Sequence, residues 1–432
     1  MFRKILPVIT ALAIGMSFVA CSDSDADEPY VLQRDDVKVD VPEGGFSVAV
    51  DQLLKIEVAG VNDPSLRYSW TLDGEPVNGG KVFNHMFSKA GDYSLELTVS
   101  QGEISFAYPF NVRVYVDGNI NNPSDATAYI TKVFDFLPAP GQFVNTLPAY
   151  AEGDTQESMN AKVLEAIGNN KKGSISLGAW GGYVVVGFDH TIENKPGLRD
   201  FRVLGNSFYN QSSSDPEGAV GNSCEPGIIA VAYDSNGNGM PDDDEWYVIE
   251  GSGQADPTQE AWYGMAVAAG LDVNLYTDYE MTYYRPESKP TTAEEKKNYV
   301  KWDDNKGNSG YFSQNAFHTQ SYFPMWVKPD KLTFKGVRLP QNGIDKSGAG
   351  SNYVLYKFRY GYADNDKNAA DGSAIDIDWA VNDKGQKVSL PGVDFIKIYT
   401  GVNQSNGWIG ENSTEVMGVE DLHLLGVSIP AF

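Results

Sequence analysis

Short runs of alternating apolar and polar residues, each closed by glycine, asparagine or aspartate, fill most of this chain and restrict it to strands. "FSVAVDQLLKIEVAG", "RYSWTLDGEPV" and "GDYSLELTVSQGEISFAYPFNVRVY" lie between residues 46 and 115. "SISLGAWGGYVVVGFDH", "DFRVLGNSFY", "YVLYKFRYGYA", "IDIDWAV" and "VDFIKIYTGV" continue the pattern beyond residue 173. A period of two sends alternate side chains to opposite faces, so each run has one face to bury. One segment differs. In "GDTQESMNAKVLEAIGNN", Asp154 and Glu157 are spaced as a capping box, Met159, Val163 and Ile167 share one helical face, and Gly168 ends the run.

The expected fold class is therefore all-β. The 432 residues divide into an immunoglobulin-like sandwich over 30–116 around Trp70, a linker and helix over 117–172, and a large jelly-roll-like β-sandwich with long loops over 173–432. The first twenty residues stand outside both units. "MFRK" is basic, "ILPVITALAIGMSF" is apolar, and "FVAC" closes on a cysteine, the pattern of a lipoprotein signal over 1–20 with Cys21 as the lipidated N-terminus. The apolar run is too short to span a bilayer comfortably as an uncleaved anchor. Residues 21–29 form an acidic tether, and the lipid is the expected membrane attachment. With 58 acidic against 33 basic residues the net charge is −25, which opposes binding to nucleic acid or to anionic lipid. Once Cys21 carries lipid, Cys224 has no partner for a disulfide and is expected to be a small buried filler.

"DSNGNGMPDDDE" has the spacing of a calcium loop. Asp234, Asn236 and Asn238 alternate, Gly239 follows, Met240 offers a backbone carbonyl, Asp242 stands at the ninth position and Glu245 at the twelfth. The flanking "GIIAVAY" and "EWYVIEG" read as strands, and Pro241 lacks the N–H with which sensor loops pair. A structural calcium clip between two strands is the expectation; a solvated acidic turn is the alternative.

No enzyme motif survives inspection. "IDIDWA" places Ala380 where a chitinase-type strand needs its catalytic glutamate after Asp376 and Asp378. No G-x-S-x-G elbow, H-E-x-x-H helix or P-loop occurs, and the four histidines are dispersed. A non-enzyme is expected. The tract "WDDNKGNSGYFSQNAFHTQSYFPMW" instead interleaves aromatic faces with amides. Trp302, Tyr311, His318, Tyr322, Phe323 and Trp326, with Trp408 from "GVNQSNGWIGENSTE", are the candidate ligand-binding residues. Such faces suit a wide, flat, amide-rich or sugar-like ligand; the alternative is that they are core.

"YSWTLDG" and "GDYSLELTV" in the first unit resemble PKD-like modules of bacterial surfaces. "GGYVVVGFDHTIEN", "DFRVLGNSF", "EPGIIAVAYDSNGNGMPDDDEWYVIEGS", "GNSGYFSQNAFHTQSYFPMW" and "DFIKIYTGVNQ" together resemble the PKD-like-domain surface lipoproteins of gut Bacteroidetes that accompany corrinoid transporters. That resemblance implies a surface-exposed outer-membrane lipoprotein that captures cobalamin (vitamin B12) and passes it to a TonB-dependent transporter. His318 would then be the imidazole available to cobalt. A surface glycan-binding lipoprotein would use the same aromatic platforms and is the alternative.

Overall fold

Strand pairing in the first unit follows from its alternation. A computed structural model describes residues 30–42, 45–209 and 218–432; Cys21, the expected signal and the tether lie outside the described residues. Gly91–Gln101 and Ile104–Tyr115 form the long central hairpin of a five-stranded sheet, against which a three-stranded sheet packs. Phe46–Ala49 joins this sheet parallel to Val112–Tyr115, the strand addition typical of immunoglobulin-like sandwiches. Trp70 is fully buried beside Phe83, and its indole N–H donates to the Gly80 carbonyl at 3.0 Å. The polar edge of the indole is thereby satisfied inside an apolar core.

The large unit is built on a six-stranded antiparallel sheet. Its order is Ala380–Val381, Trp246–Ile249, Gly227–Ala232, Gly392–Thr400, Tyr183–Glu193 and Lys132–Leu137. The central strands are buried on both faces, so Ile229, Val231, Ile396 and Ile398 pack to one side while Ile228 and Tyr399 pack to the other. On the first side lies the one long helix, Gln156–Ile167, seated through Met159, Val163 and Ile167 as the spacing predicted. Its cap is shifted by one residue from expectation: Thr155 accepts from Ser158 N, and Ser158 Oγ donates back to Asp154 and Thr155. The fold class is that expected, β-sandwich sheets with one long helix. Among the described residues, three short helices, Ser252–Ala255, Tyr263–Ala268 and Ala293–Lys297, decorate its loops.

Two four-stranded sheets belong to the same unit and position the candidate site. One contains Tyr276–Tyr284, Val300–Asp304, Ser309–Phe312 and Lys331–Arg338; the other contains Phe208–Tyr209, Gly221–Ser223, Gly343–Asp345 and Tyr353–Tyr356. The first encloses an aromatic core of Trp180, Tyr279, Tyr283, Tyr322 and Phe323.

Candidate ligand-binding cleft

The loop that leaves Ser309–Phe312 is fixed by an uncommon number of polar contacts. Gln314 N donates to the Lys296 carbonyl, Asn315 N to the Tyr322 hydroxyl at 2.7 Å, and Phe317 N to Asn315 Oδ1 at 2.8 Å. Asn315 Nδ2 reaches the Trp408 carbonyl at 3.0 Å, tying this loop to the one around Gly407–Ile409. Gln142 completes the knot: it donates to the Ile409 carbonyl, while its own carbonyl accepts from Gln320 Nε2. Gly410, at φ +100°, passes so close to the Gln142 amide that a Cβ would lie 2.8 Å from it. Only glycine fits that approach.

Between these loops and Phe208, Asn222 and Tyr353 opens a cleft of about 600 Å³. Its rim is aromatic and bare. Phe317 is 87 % exposed, Trp408 64 % and Phe208 55 %. Amides of Gln142, Asn206, Asn222, Asn315 and Asn352 line the walls. His318 also lines it, its ring set edge-on to Phe143 at 4.7 Å, with no hydrogen bond to its imidazole among the described residues.

The floor is acidic. Carboxylate oxygens of Glu225, Asp364 and Glu415 lie within 4.8 Å of one another, all buried, and no Lys or Arg among the described residues pairs with them. Asp364 accepts from Asn206 N, Ser207 N and Ser207 Oγ, and its second oxygen from Glu415 N. Glu225 accepts from Ser413 N at 3.0 Å and Glu415 from Ser413 Oγ at 2.9 Å. Burial raises all three above the ordinary carboxyl range, and mutual repulsion adds to the rise at Glu225 and Glu415. Gly205 makes room for this group, since a Cβ there would meet Asp364 Oδ1 at 2.3 Å. A protonated carboxyl both donates and accepts, so the rise at Glu225 and Glu415 favours a floor with less negative field than three free carboxylates. Asp364 serves as acceptor to four donors.

The expected site residues divide. His318 and Trp408 meet in the cleft. Tyr322 and Phe323, expected as ligand-facing surfaces, are 1 % and 0 % exposed and belong to the aromatic core. Phe323 lies under the Arg285 guanidinium, and Tyr322 acts from within by holding Asn315 N. Trp326 stacks on Phe136 and Tyr150 and donates to Gln156 Oε1 at 3.1 Å, so it packs the helix instead of the cleft. Trp302 covers Phe312, and Tyr311 is exposed on a strand away from the cleft lining. The error has one source: alternation along a short strand and a following loop does not say which aromatic turns inward. Phe208, Asn206, Glu225 and Glu415 were missed. Glu225 and Glu415 carried a signal, an acidic residue beside apolar strand sequence, as in "EPGIIA" and "NSTEV"; Phe208 carried none.

The acidic loop joins Gly227–Ala232 to Trp246–Ile249, which pair antiparallel. Its oxygens are held in turn geometry by its own backbone. Asp234 accepts from Asn238 N and Gly239 N, Asn236 Oδ1 from Asn238 N, and Asn238 Oδ1 from Met240 N. The amide nitrogens of Asn236 and Asn238 both donate to Asp242 Oδ2 at 2.7 Å, and the buried Glu245 accepts from Ser235 N and Oγ. The donor set is all oxygen and fits a hard cation; the hydrogen bonds also close the loop by themselves. Cys224 is fully buried, and burial pushes its thiol far up, consistent with a filler.

No family model matches the chain, and no curated protein matches it. Among solved structures, a SusE-like protein overlaps 90 % of this chain and 97 % of its own at 8 % identity and a TM-score of 0.19. The SGBP-B protein of the Bacteroides ovatus mixed-linkage glucan utilization locus, in complex with a mixed-linkage heptasaccharide, overlaps 85 % and 100 % at 12 % identity and a TM-score of 0.17. The fibronectin(III)-like modules of Clostridium thermocellum CbhA overlap 19 % and 95 % at 17 % identity and a TM-score of 0.15. Overlaps of this kind carry no argument about fold or ligand.

Proposed function

We propose that this chain captures a bulky, flat, neutral ligand outside the cell and performs no chemistry on it. One observation carries the reading: three aromatic side chains, Phe208, Phe317 and Trp408, stand exposed around an amide-walled cleft of about 600 Å³. Exposing large aromatic faces costs solubility and is compensated when a ligand covers them. Of such ligands we favour cobalamin. Its corrin has apolar faces and a rim of amides, and its cobalt accepts an imidazole. His318 supplies an imidazole at the cleft with no hydrogen-bond partner among the described residues, and the sequence phrases quoted above resemble corrinoid-capturing lipoproteins. On the same reading Cys21 carries the lipid, calcium orders the loop over 234–245, and a TonB-dependent transporter receives the ligand.

A glycan is the second reading, favoured by Trp408 and Phe317 as two stacking platforms for sugar rings. Calorimetry on protein lacking residues 1–21, titrated with cyanocobalamin and a panel of neutral oligosaccharides, separates the two. Cobalamin should bind with a shifted visible spectrum that His318→Ala abolishes. Heat from a sugar alone transfers the site to the glycan reading, and heat from neither overturns the capture reading.

A further inference from the structure

The ridge made by Asn315, Phe317 and Trp408 has a cleft on each side. The second, about 440 Å³, lies between the loop over 312–317 and the loop over 405–411, and shares those three residues with the first. Both volumes fall in the range that small-molecule sites occupy, roughly 300–1,000 Å³. Two features distinguish the second cleft. Gln314 lines it and is only 7 % exposed, yet its Oε1 is buried and accepts no hydrogen bond from any described residue. The amide is not reversed, because Nε2 donates to the Gln320 carbonyl at 3.2 Å. Glu411 also lines the cleft, buried, with Oε1 accepting from Gln142 N at 2.6 Å. Burial pushes its carboxyl up to about 7. Among the described residues lining either cleft there is no Lys or Arg.

We infer that the second cleft is a subsite for an uncharged, donor-bearing arm, a primary amide or a hydroxyl, of the same ligand that fills the first cleft. The arm crosses the ridge over Phe317 and Trp408 and donates to Gln314 Oε1, which is buried in the free protein and meets the arm by an outward turn of the side-chain amide. A buried carbonyl oxygen without a partner is costly, so the site gains most from a group that brings an N–H or O–H. A carboxylate or phosphate arm is excluded, because it would face the Gln314 carbonyl and the Glu411 carboxyl with no cation to offset either. This inference rests on the capture reading and adds to it both a second point of attachment and a charge rule.

The test uses protein lacking residues 1–21, with cyanocobalamin, its series of monocarboxylate derivatives (one amide hydrolysed in each), neutral oligosaccharides and their uronate counterparts. Whichever parent binds, Gln314→Met should weaken it by about tenfold while leaving the melting temperature within a few degrees. At least one carboxylated analogue should bind at least tenfold more weakly than its neutral parent. If the parent binds but Gln314→Met matches wild type, or if every carboxylated analogue binds as tightly as the parent, the subsite is overturned and capture in the first cleft stands. If no parent binds, the capture reading and the subsite fall together. The analogue series does not depend on any variant folding.

Discussion

Trp326 and Trp408 show how one residue type takes opposite roles. Trp326 stacks at 5.8 Å on Phe136, within the core that carries the helix, whereas Trp408 is 64 % exposed on the ridge. Trp326→Ala should therefore cost roughly 3 kcal/mol of stability, the lower end for a large aromatic truncation because the side chain is half-buried. Its effect on ligand affinity should be negligible. Trp408→Ala should do the reverse: little change in melting temperature and about thirtyfold weaker binding, the scale of a central anchor worth about 2 kcal/mol. Scanning calorimetry and titration of both variants check the pair. Equal loss of affinity in both would return Trp326 to the site. Nothing in "FPMW" or "NGWIG" distinguishes these tryptophans; what distinguishes them is whether a helix lies over them.

At the scale of the element, the acidic loop was legible because its signature is local. Its spacing placed it between two strands, and the strands are there, antiparallel neighbours in the central sheet. Calcium itself remains our proposal. A cation that binds only the folded loop stabilises by mass action, so chelation should lower the melting temperature of wild type. Asp234→Ala should lower stability even in chelator, since it removes the acceptor for Asn238 N and Gly239 N, and should also abolish the response to calcium. An unchanged melting temperature of wild type in excess chelator would reduce the loop to a hydrogen-bonded turn. The helix was legible for a similar reason, although its cap fell to Thr155 and Ser158 because Asp154 accepts from Ala151 N and pairs with Lys162.

Over the whole molecule, burial of unpaired carboxyls sets the response to pH. Glu225, Asp364, Glu411 and Glu415 are all raised by burial, Glu411 to about 7, and Asp376 to about 6. Burial lowers His190, but hydrogen bonds to Asp421 at 2.8 Å and Asp189 at 2.9 Å outweigh it and leave the imidazole raised. A raised group binds more protons folded than unfolded, so its stabilisation is complete below the unfolded value and is lost as pH rises through the folded one. Both kinds of group act in the same direction. Stability should fall from pH 5 to pH 8, by melts in a common buffer series. Glu411→Gln mimics the protonated side chain and should match wild type near pH 5 but exceed it at pH 8. A wild-type melting temperature that rises over this range would contradict the assignment. The two units share this fate because they are joined: Ala90 N donates to the Tyr247 hydroxyl, Asn382 donates to the Ala90 carbonyl, and Lys384 pairs with Asp73.

Sequence alone determined the period of two, hence strands, and the helical face of Met159, Val163 and Ile167. It also placed the buried Trp70 and the spacing of the acidic loop. All of these are set within a few residues, where backbone geometry decides which side chains share a face. The cleft was decided by tertiary structure. Gln142, Phe208, Glu225, His318, and the pair Trp408 and Glu415 come from five separate stretches and meet only because sheet order brings their loops to one end. The same packing turned Tyr322, Phe323 and Trp326 inward, since an aromatic buries whichever face its neighbours cover, and sequence spacing does not specify those neighbours.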